Sequence, residues 1–271
     1  MMLVSLAHAV TPPSPASVLN PPDRAVAVRL DAELGFLAPV AHTIQFGERG
    51  TTFDYVDDGG QEVLFPFARL QAGLDVGRES FLFLYQPLDL RTEVALASPL
   101  TVDTVTFAAG EAVDLRYGFS FWRATWLHEL LPAPERELGV GLGLQLRDAD
   151  IVFTSADGGT RFAERDVGPV PLLAARLRLP VAERGFLGAE AGGIWAPVKY
   201  LNGSDVDVEG ALLDASLRGG LALAGGADVY VNARYLGGGA AGSSKNPEAR
   251  GDGYTANWLH FATVSLGVGL R

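Results

Sequence analysis

The 271-residue sequence predicts an all-β fold, an antiparallel up-and-down transmembrane β-barrel of ten strands, with twelve as the alternative count. Three observations carry that reading. Apolar and polar residues alternate at period 2 through most of the chain beyond residue 24. The polar partners are Gly, Ala, Ser, Arg, Asp and Glu, with almost no Lys. The connections between the alternating runs are short and long in turn. Period 2 is the repeat of a strand whose two faces meet different surroundings, whereas a helix repeats at about 3.6.

Taken in order, the first run sets Val26, Val28, Leu30, Ala32, Leu34 and Phe36 against Ala27, Arg29, Asp31, Glu33 and Gly35. Ala68–Val76 places Arg69, Gln71, Gly73 and Asp75 opposite its apolar residues. Leu138, Val140, Leu142, Leu144 and Leu146 face away from Gly139, Gly141, Gly143, Gln145 and Arg147. The glycines of that run lie inside a strand with no helix after them, so they strip side chains from one face and do not form a dinucleotide loop. Leu173–Leu179 carries Arg176 and Arg178, and Leu213–Leu223 carries Asp214, Ser216 and Arg218. Val229, Val231, Ala233 and Tyr235 oppose Asp228, Tyr230, Asn232 and Arg234. The last run sets Val264, Leu266, Val268 and Leu270 against Thr263, Ser265, Gly267, Gly269 and Arg271. One run has a defect: Leu115, Tyr117, Phe119 and Phe121 share a parity that Arg123 and Thr125 then take over. A β-bulge near Phe121–Trp122 would return Arg123 to the polar face.

A soluble lipocalin-like carrier also alternates, but it keeps its apolar face inside and its charged face in water. Such a water-facing surface uses Lys freely. Here Lys199 and Lys245 are the only lysines and both fall in predicted loops. Arginine suits a confined site, because its planar fork pairs bidentately with carboxylates. The polar face therefore reads as a lumen and the apolar face as the lipid contact.

Ten strands at approximately 24–37, 63–76, 80–97, 111–128, 137–153, 161–179, 185–196, 208–223, 227–236 and 256–270 leave short joins on one side and longer ones on the other. The long joins are 38–62, 98–110, 197–207 and 237–255, with the turn at Ala156–Gly159 as the exception. Thr52–Val56, Gln61–Phe65 and Thr101–Phe107 are the segments that would raise the count to twelve. Both termini fall on the short side. Aromatic residues gather near strand ends, at Phe36, Phe81, Phe83, Tyr85, Trp122, Trp126, Trp195, Tyr200, Tyr235 and Trp258, where interfacial girdles form.

With these features the stretch 24–271 resembles the bacterial outer-membrane β-barrel superfamily, at the level of architecture and not of any subfamily. Ser265–Leu270 partly resembles the assembly signal of that superfamily's last strand, with Arg271 standing where the terminal aromatic is customary. The resemblance implies location in the outer membrane of a Gram-negative envelope, contact with outer-membrane lipid and lipopolysaccharide, and handling by the barrel-assembly machinery. Upstream, residues 1–9 read as a truncated signal peptide ending in Ala7-His8-Ala9, and residues 10–23 as a Pro-rich periplasmic linker.

The composition narrows function. A net charge of −11 leaves no basic face for nucleic acid. With no Cys and four scattered His, no cofactor is expected and no metal site is assigned. The polar face collects Arg29, Arg69, Arg91, Arg116, Arg147, Arg176, Arg178, Arg218 and Arg234 against Asp31, Glu33, Asp75, Glu93, Asp114, Glu190, Asp214 and Asp228. Near-balanced charge in a narrow, poorly solvated space pairs internally, because an unpaired buried charge is costly. That set predicts an ion-pair network with a small or closed channel.

Rim acids Asp148, Asp150, Asp205 and Asp207 are candidate cation contacts against a background of ordinary solvated loop charge. No catalytic residue is assigned. Lipid hydrolases of the superfamily pair His with Ser two residues on, and none of His42, His128 or His260 has that neighbour; His260 and Ser265 have opposite parity. The expected function is a non-enzymatic envelope barrel, structural or giving porin-like passage to small solutes. A lipid-modifying enzyme, a surface adhesin and the soluble carrier stand as alternatives.

Overall fold

The structure, a computed structural model, describes residues 26–131, 136–197, 207–243 and 251–271. The predicted leader and linker, Tyr200, Asp205 and both lysines lie outside them. Ten antiparallel wall positions close into a ring. In chain order they are β1 (Val26–Phe46), β3 (Phe65–Val76), a position shared by β4 (Glu79–Gln86) and β5 (Asp89–Ala95), β8 (Ala112–Glu129), β9 (Glu137–Ser155), β10 (Arg161–Val181), β11 (Gly185–Pro197), β12 (Asp207–Ala222), β13 (Ala227–Ser243) and β14 (Tyr254–Leu270). Continuous pairing of β1 with β14, from Leu30 opposite Leu270 to Phe46 opposite Thr255, completes the ring. Three short strands stand apart from the wall: β2 (Phe53–Asp54) against β1, and the hairpin β6 (Leu100–Val102) with β7 (Val105–Phe107). They fall at Thr52–Val56 and Thr101–Phe107, two of the three segments behind the alternative count of twelve; of Gln61–Phe65 only Phe65 is in a strand, as the first residue of β3.

The apolar face is outermost. Leu34, Leu217 and Leu266 are each 70% exposed, while their neighbours Glu33, Arg218 and Ser265 are buried. Soluble proteins rarely expose a contiguous apolar surface of more than a few hundred Å². Here such a surface encircles the molecule, including Phe36, Leu70, Phe83, Leu142, Leu173 and Val231.

Two strands run well past their predicted ends. β1 continues to Phe46 because a bulge between Pro39 and Ala41 leaves Val40 without a partner on β14. The extra residue reverses parity. Before it Glu33 and Leu37 are buried; after it His42, Ile44 and Phe46 are. β13 continues to Ser243 through Gly237-Gly-Gly-Ala-Ala-Gly242, a run whose composition suggests a loop. Close neighbours require the glycines: a Cβ on Gly239 would sit 2.0 Å from the Asn257 carbonyl oxygen, and Gly238 has φ +149°.

The expected bulge in β8 is absent. Phe121, Trp122 and Arg123 pair in unbroken register with Arg147, Leu146 and Gln145. Arg123 reaches the interior without a bulge, because Tyr117, Phe119 and Phe121 already point inward with it and are all buried. β10 pairs with β11 only from Leu173 opposite Gly193 downward. Pro169 and Pro171, which have no N–H to donate, lie just beyond that point, while the ladder to β9 continues.

Candidate functional site: the barrel interior

Inward-facing side chains fill the bore in two zones. The zone toward the short turns is ionic. Glu137, at the start of β9, accepts both Nη1 hydrogen bonds of Arg29 at 2.9 Å, and also meets Arg271 at 2.6 Å and Arg176 at 3.3 Å. Arg29 also pairs with Asp75. Asp228 takes a two-pronged bond from Arg178, 3.0 Å on each arm, and a contact from Arg271 at 2.8 Å. Arg178 lies over the ring of Phe186, 3.6 Å from its centroid.

Halfway up, Asp214 pairs with Arg123 at 2.8 Å and Arg234 at 2.5 Å. Glu190 meets Arg69 at 3.4 Å, Arg234 at 3.5 Å and Arg218, which also approaches Asp31 at 3.7 Å. Glu33 is held by neutral donors, Asn232 at 2.9 Å and Ser265 at 2.8 Å. The inward glycines make room for this layer. A Cβ on Gly188 would meet Arg218 Cγ at 2.8 Å, and one on Gly267 would meet the Tyr230 ring at 2.2 Å.

The zone toward the loops is apolar and aromatic. The segment after β1 folds back so that Phe53 and Tyr55 are buried inside the ring. Tyr55 stacks on His42 with centroids 4.4 Å apart, and His42 meets Tyr117 edge-on at 4.2 Å. Phe53 reaches Phe153 of β9 at 5.8 Å. Phe46 of β1 meets Phe162 of β10, diametrically across the ring, at 4.8 Å. Asn257 donates to the Tyr117 hydroxyl at 3.0 Å. The inserted segment is tied down outside the bore. The Asp252 carboxylate accepts backbone N–H bonds from Tyr254 at 2.9 Å and Glu48 at 2.8 Å, which hold it below the usual aspartate range.

Of the residues assigned to the polar face, the structure brings Arg29, Asp31, Glu33, Arg69, Asp75, Arg176, Arg178, Glu190, Asp214, Arg218, Asp228 and Arg234 together in the bore. Arg147 also points inward, nearer the loops, and pairs with Asp166. Four assignments to the polar face need correcting. Arg91, Glu93 and Arg116, along with Asp114, point away from the bore, because the buried partners at this height are Leu90, Val113, Leu115 and Tyr117. Arg91 and Arg116 instead share Asp89 at 3.0 and 3.2 Å on the outer surface.

Glu137, Arg123 and Arg271 complete the network, beyond the residues that the charge pattern assigns to it. Glu137 and Arg271 sit at strand ends but share the parity of the glycines beside them, and that signal was available in the sequence. Of the rim acids, Asp148 is held two-pronged by Arg165 at 2.9 and 2.8 Å and Asp150 pairs with Arg116. Their charge is already met by guanidinium groups. Asp205 lies outside the described residues, and Asp207 is exposed on the outer face of β12. Among the described residues no three His, Cys, Asp or Glu side chains converge as metal ligands.

The histidines are dispersed. His42 bonds Gln61 at 2.8 Å within the plug, and His260 bonds Tyr235 at 2.5 Å on the outside. His128 meets Glu79 at 2.8 Å, at the opposite, turn end of the barrel.

No protein-family model and no curated protein sequence matches the chain. Solved structures do match in fold. The outer membrane protease OmpT from Escherichia coli superposes with a TM-score of 0.51 at 12% identity, covering 90% of this chain and 96% of that one. The translocator domain of the autotransporter NalP from Neisseria meningitidis matches at a TM-score of 0.43 and 16% identity, over 90% of this chain and 88% of that one. Neisserial surface protein A matches at 0.34 and 10%, over 92% and 99%. The likeness is to outer-membrane β-barrels as an architecture and singles out no subfamily.

Proposed function

We propose that this chain is a sealed outer-membrane barrel, a non-enzymatic structural element that holds its loops at the surface, and that it does not conduct solutes. The observation that carries this reading is contact across the full width of the ring at two heights. Arg69 of β3 and Glu190 of β11 are diametrically opposed and lie 3.4 Å apart, and Phe46 and Phe162, also diametrically opposed, touch nearer the loops. The encircling apolar surface supports residence in a bilayer, and the short-turn side supports entry with both termini periplasmic. Outer-membrane lipid, lipopolysaccharide and the barrel-assembly machinery are the partners this reading implies.

Proteolysis, the activity in the name of OmpT, is not carried over. Among the described residues, the one carboxylate bonded to a histidine is Glu79, on His128 at the turn end, away from the loops.

The test is electrical. Purified protein reconstituted in planar bilayers is expected to leave the membrane insulating, with no ohmic steps. A variant lacking residues 47–62 is expected to conduct no better, because the Arg69–Glu190 layer still spans the bore. Steady conductance by the unmodified protein would replace the structural role with passage.

A further inference from the structure

We infer that the turn end of the barrel wall carries a head-group site for an aminophospholipid, formed by Glu79, His128, Trp126 and Arg78. The inference rests on the bilayer reading above, in which the short turns lie at the inner leaflet.

Glu79 of β4 and His128 of β8 stand directly opposite each other on the outer face. Glu79 Oε1 bonds His128 Nδ1 at 2.8 Å, and Trp126 Nε1 donates to Glu79 Oε2 at 2.7 Å. A carboxylate only accepts, so Nδ1 carries the proton and the neutral imidazole keeps its lone pair on Nε2. Each Glu79 oxygen also retains a lone pair beyond the bond it accepts. Among the described residues no Arg or Lys side chain pairs with Glu79. Its charge is therefore unanswered at the surface, where the Glu79 and His128 side chains are 37% and 39% exposed.

These acceptors fit a primary ammonium. Its N–H groups can reach the carboxylate and the imidazole lone pair while the Trp126 ring meets the charge with its face. A metal ion would need further ligands, and among the described residues none converge.

The surroundings make the bearer of that ammonium a lipid. The next rows of the outer face are Phe81, Trp126 and Leu142, then Phe83, Ala124 and Leu144, all exposed. Ala124 leaves a gap between Trp122 and Trp126 along which an acyl chain can lie. Arg78, exposed in the turn one residue before Glu79, offers a guanidinium to the lipid phosphate. Arg136 and Arg184 are exposed on two other short turns, so cations mark the phosphate level around this end. Beside Arg78, Glu79 and His128 add the ammonium acceptors, and the site complements a head group that is both anionic and cationic.

The experiment follows lipid binding to the full chain in detergent by native mass spectrometry. The probes are phosphatidylethanolamine and phosphatidylcholine with identical acyl chains. The unmodified protein is expected to bind the ethanolamine lipid about tenfold more tightly, because a quaternary ammonium has no N–H to donate. Glu79→Gln is expected to erase that preference with the heat-modifiable folded band retained. His128→Ala is expected to cut it to about threefold, as loss of one neutral hydrogen bond would. Arg78→Gln is expected to weaken both lipids equally, since both carry the phosphate. Equal affinities in the unmodified protein, or an undiminished preference in folded Glu79→Gln, would overturn the inference. So would displacement of the lipid by an equal concentration of free ethanolamine, which would make the ligand a soluble amine. Insertion into vesicles of each lipid is scored separately by the heat-modifiable band. A chain that enters neither overturns the bilayer reading and this site with it, whereas insertion with equal affinities overturns the site alone.

Discussion

The two halves of the barrel wall obey opposite rules. In the half nearer the turns, β9 points Leu142, Leu144 and Leu146 outward and Gly143 and Gln145 inward. A few residues on, the same strand points Asp148 and Asp150 outward and Ala149, Ile151 and Phe153 inward. β8 makes the same exchange, with Trp122 and Trp126 outward below and Tyr117, Phe119 and Phe121 inward above. The backbone parity is constant; the solvent changes. On the proposed outer-membrane reading, the wall below the exchange stands in hydrocarbon around a charged filling, and above it the wall stands in water around an apolar core. β1 solves the same problem differently. It keeps its apolar residues on even positions and flips the backbone at Val40, so that Leu34 and Phe36 face lipid while Ile44 and Phe46 face the core.

If that comparison holds, the largest effect comes from the aromatic plug, where Phe121→Ala is expected to lower unfolding free energy by about 3–5 kcal/mol in urea titrations of the bilayer-inserted protein. Deleting Val40 is expected to leave the heat-modifiable folded band in place, because Pro39 and Ala41 already face consecutive residues of β14, Phe261 and His260, and joining them makes the ladder regular without turning either face.

Leu142→Arg, in the lipid-facing belt, is expected to cost about 2–4 kcal/mol in the same titration. Asp150→Leu, eight residues along the same face but above the exchange, removes an exposed ion pair and should cost under about 1 kcal/mol. Equal costs at these two positions would erase the distinction between the halves. The smallest effect concerns the tie on the inserted segment. Asp252 is held below its ordinary pKa by two N–H donors, so its contribution is present above the unfolded value and is lost as pH falls through the depressed one. Protease cleavage within 47–62 is expected to rise on acidification, and Asp252→Asn to show the raised rate at neutral pH.

The same contrast explains what the sequence disclosed. The lower half was legible because one face is charged and the other apolar, and in hydrocarbon that alternation has only one tolerable orientation. Arg29, Glu190, Asp214, Arg218 and Arg234 could all be placed from parity alone. The upper half obeys the opposite rule, so extending the lower half's rule to it makes Val113 to Phe121 look like a parity defect that needs a bulge, and Arg91, Glu93, Asp114 and Arg116 look luminal. The one real bulge, at Val40, left no mark in the pattern, since the even positions stay apolar on both sides of it. Gly237–Gly242 reads as loop from sequence because composition reports conformational freedom and is blind to the crowding by Asn257 and Ala211 that selects glycine there. Pairing across the bore, such as Arg69 with Glu190 over 121 residues of chain, has no local signature.

The measurement that bears most directly on a sealed, two-solvent barrel is a spin-label accessibility scan along β9 in bilayers, one site at a time from 140 to 153. The account predicts oxygen access at even positions through Leu146, water-soluble nickel access at 148, 150 and 152, and no access to either reagent at Ala149, Ile151 and Phe153. Nickel access at those three inward sites would mean an open bore. Oxygen access at 148 and 150 would place the upper half in lipid and contradict the account.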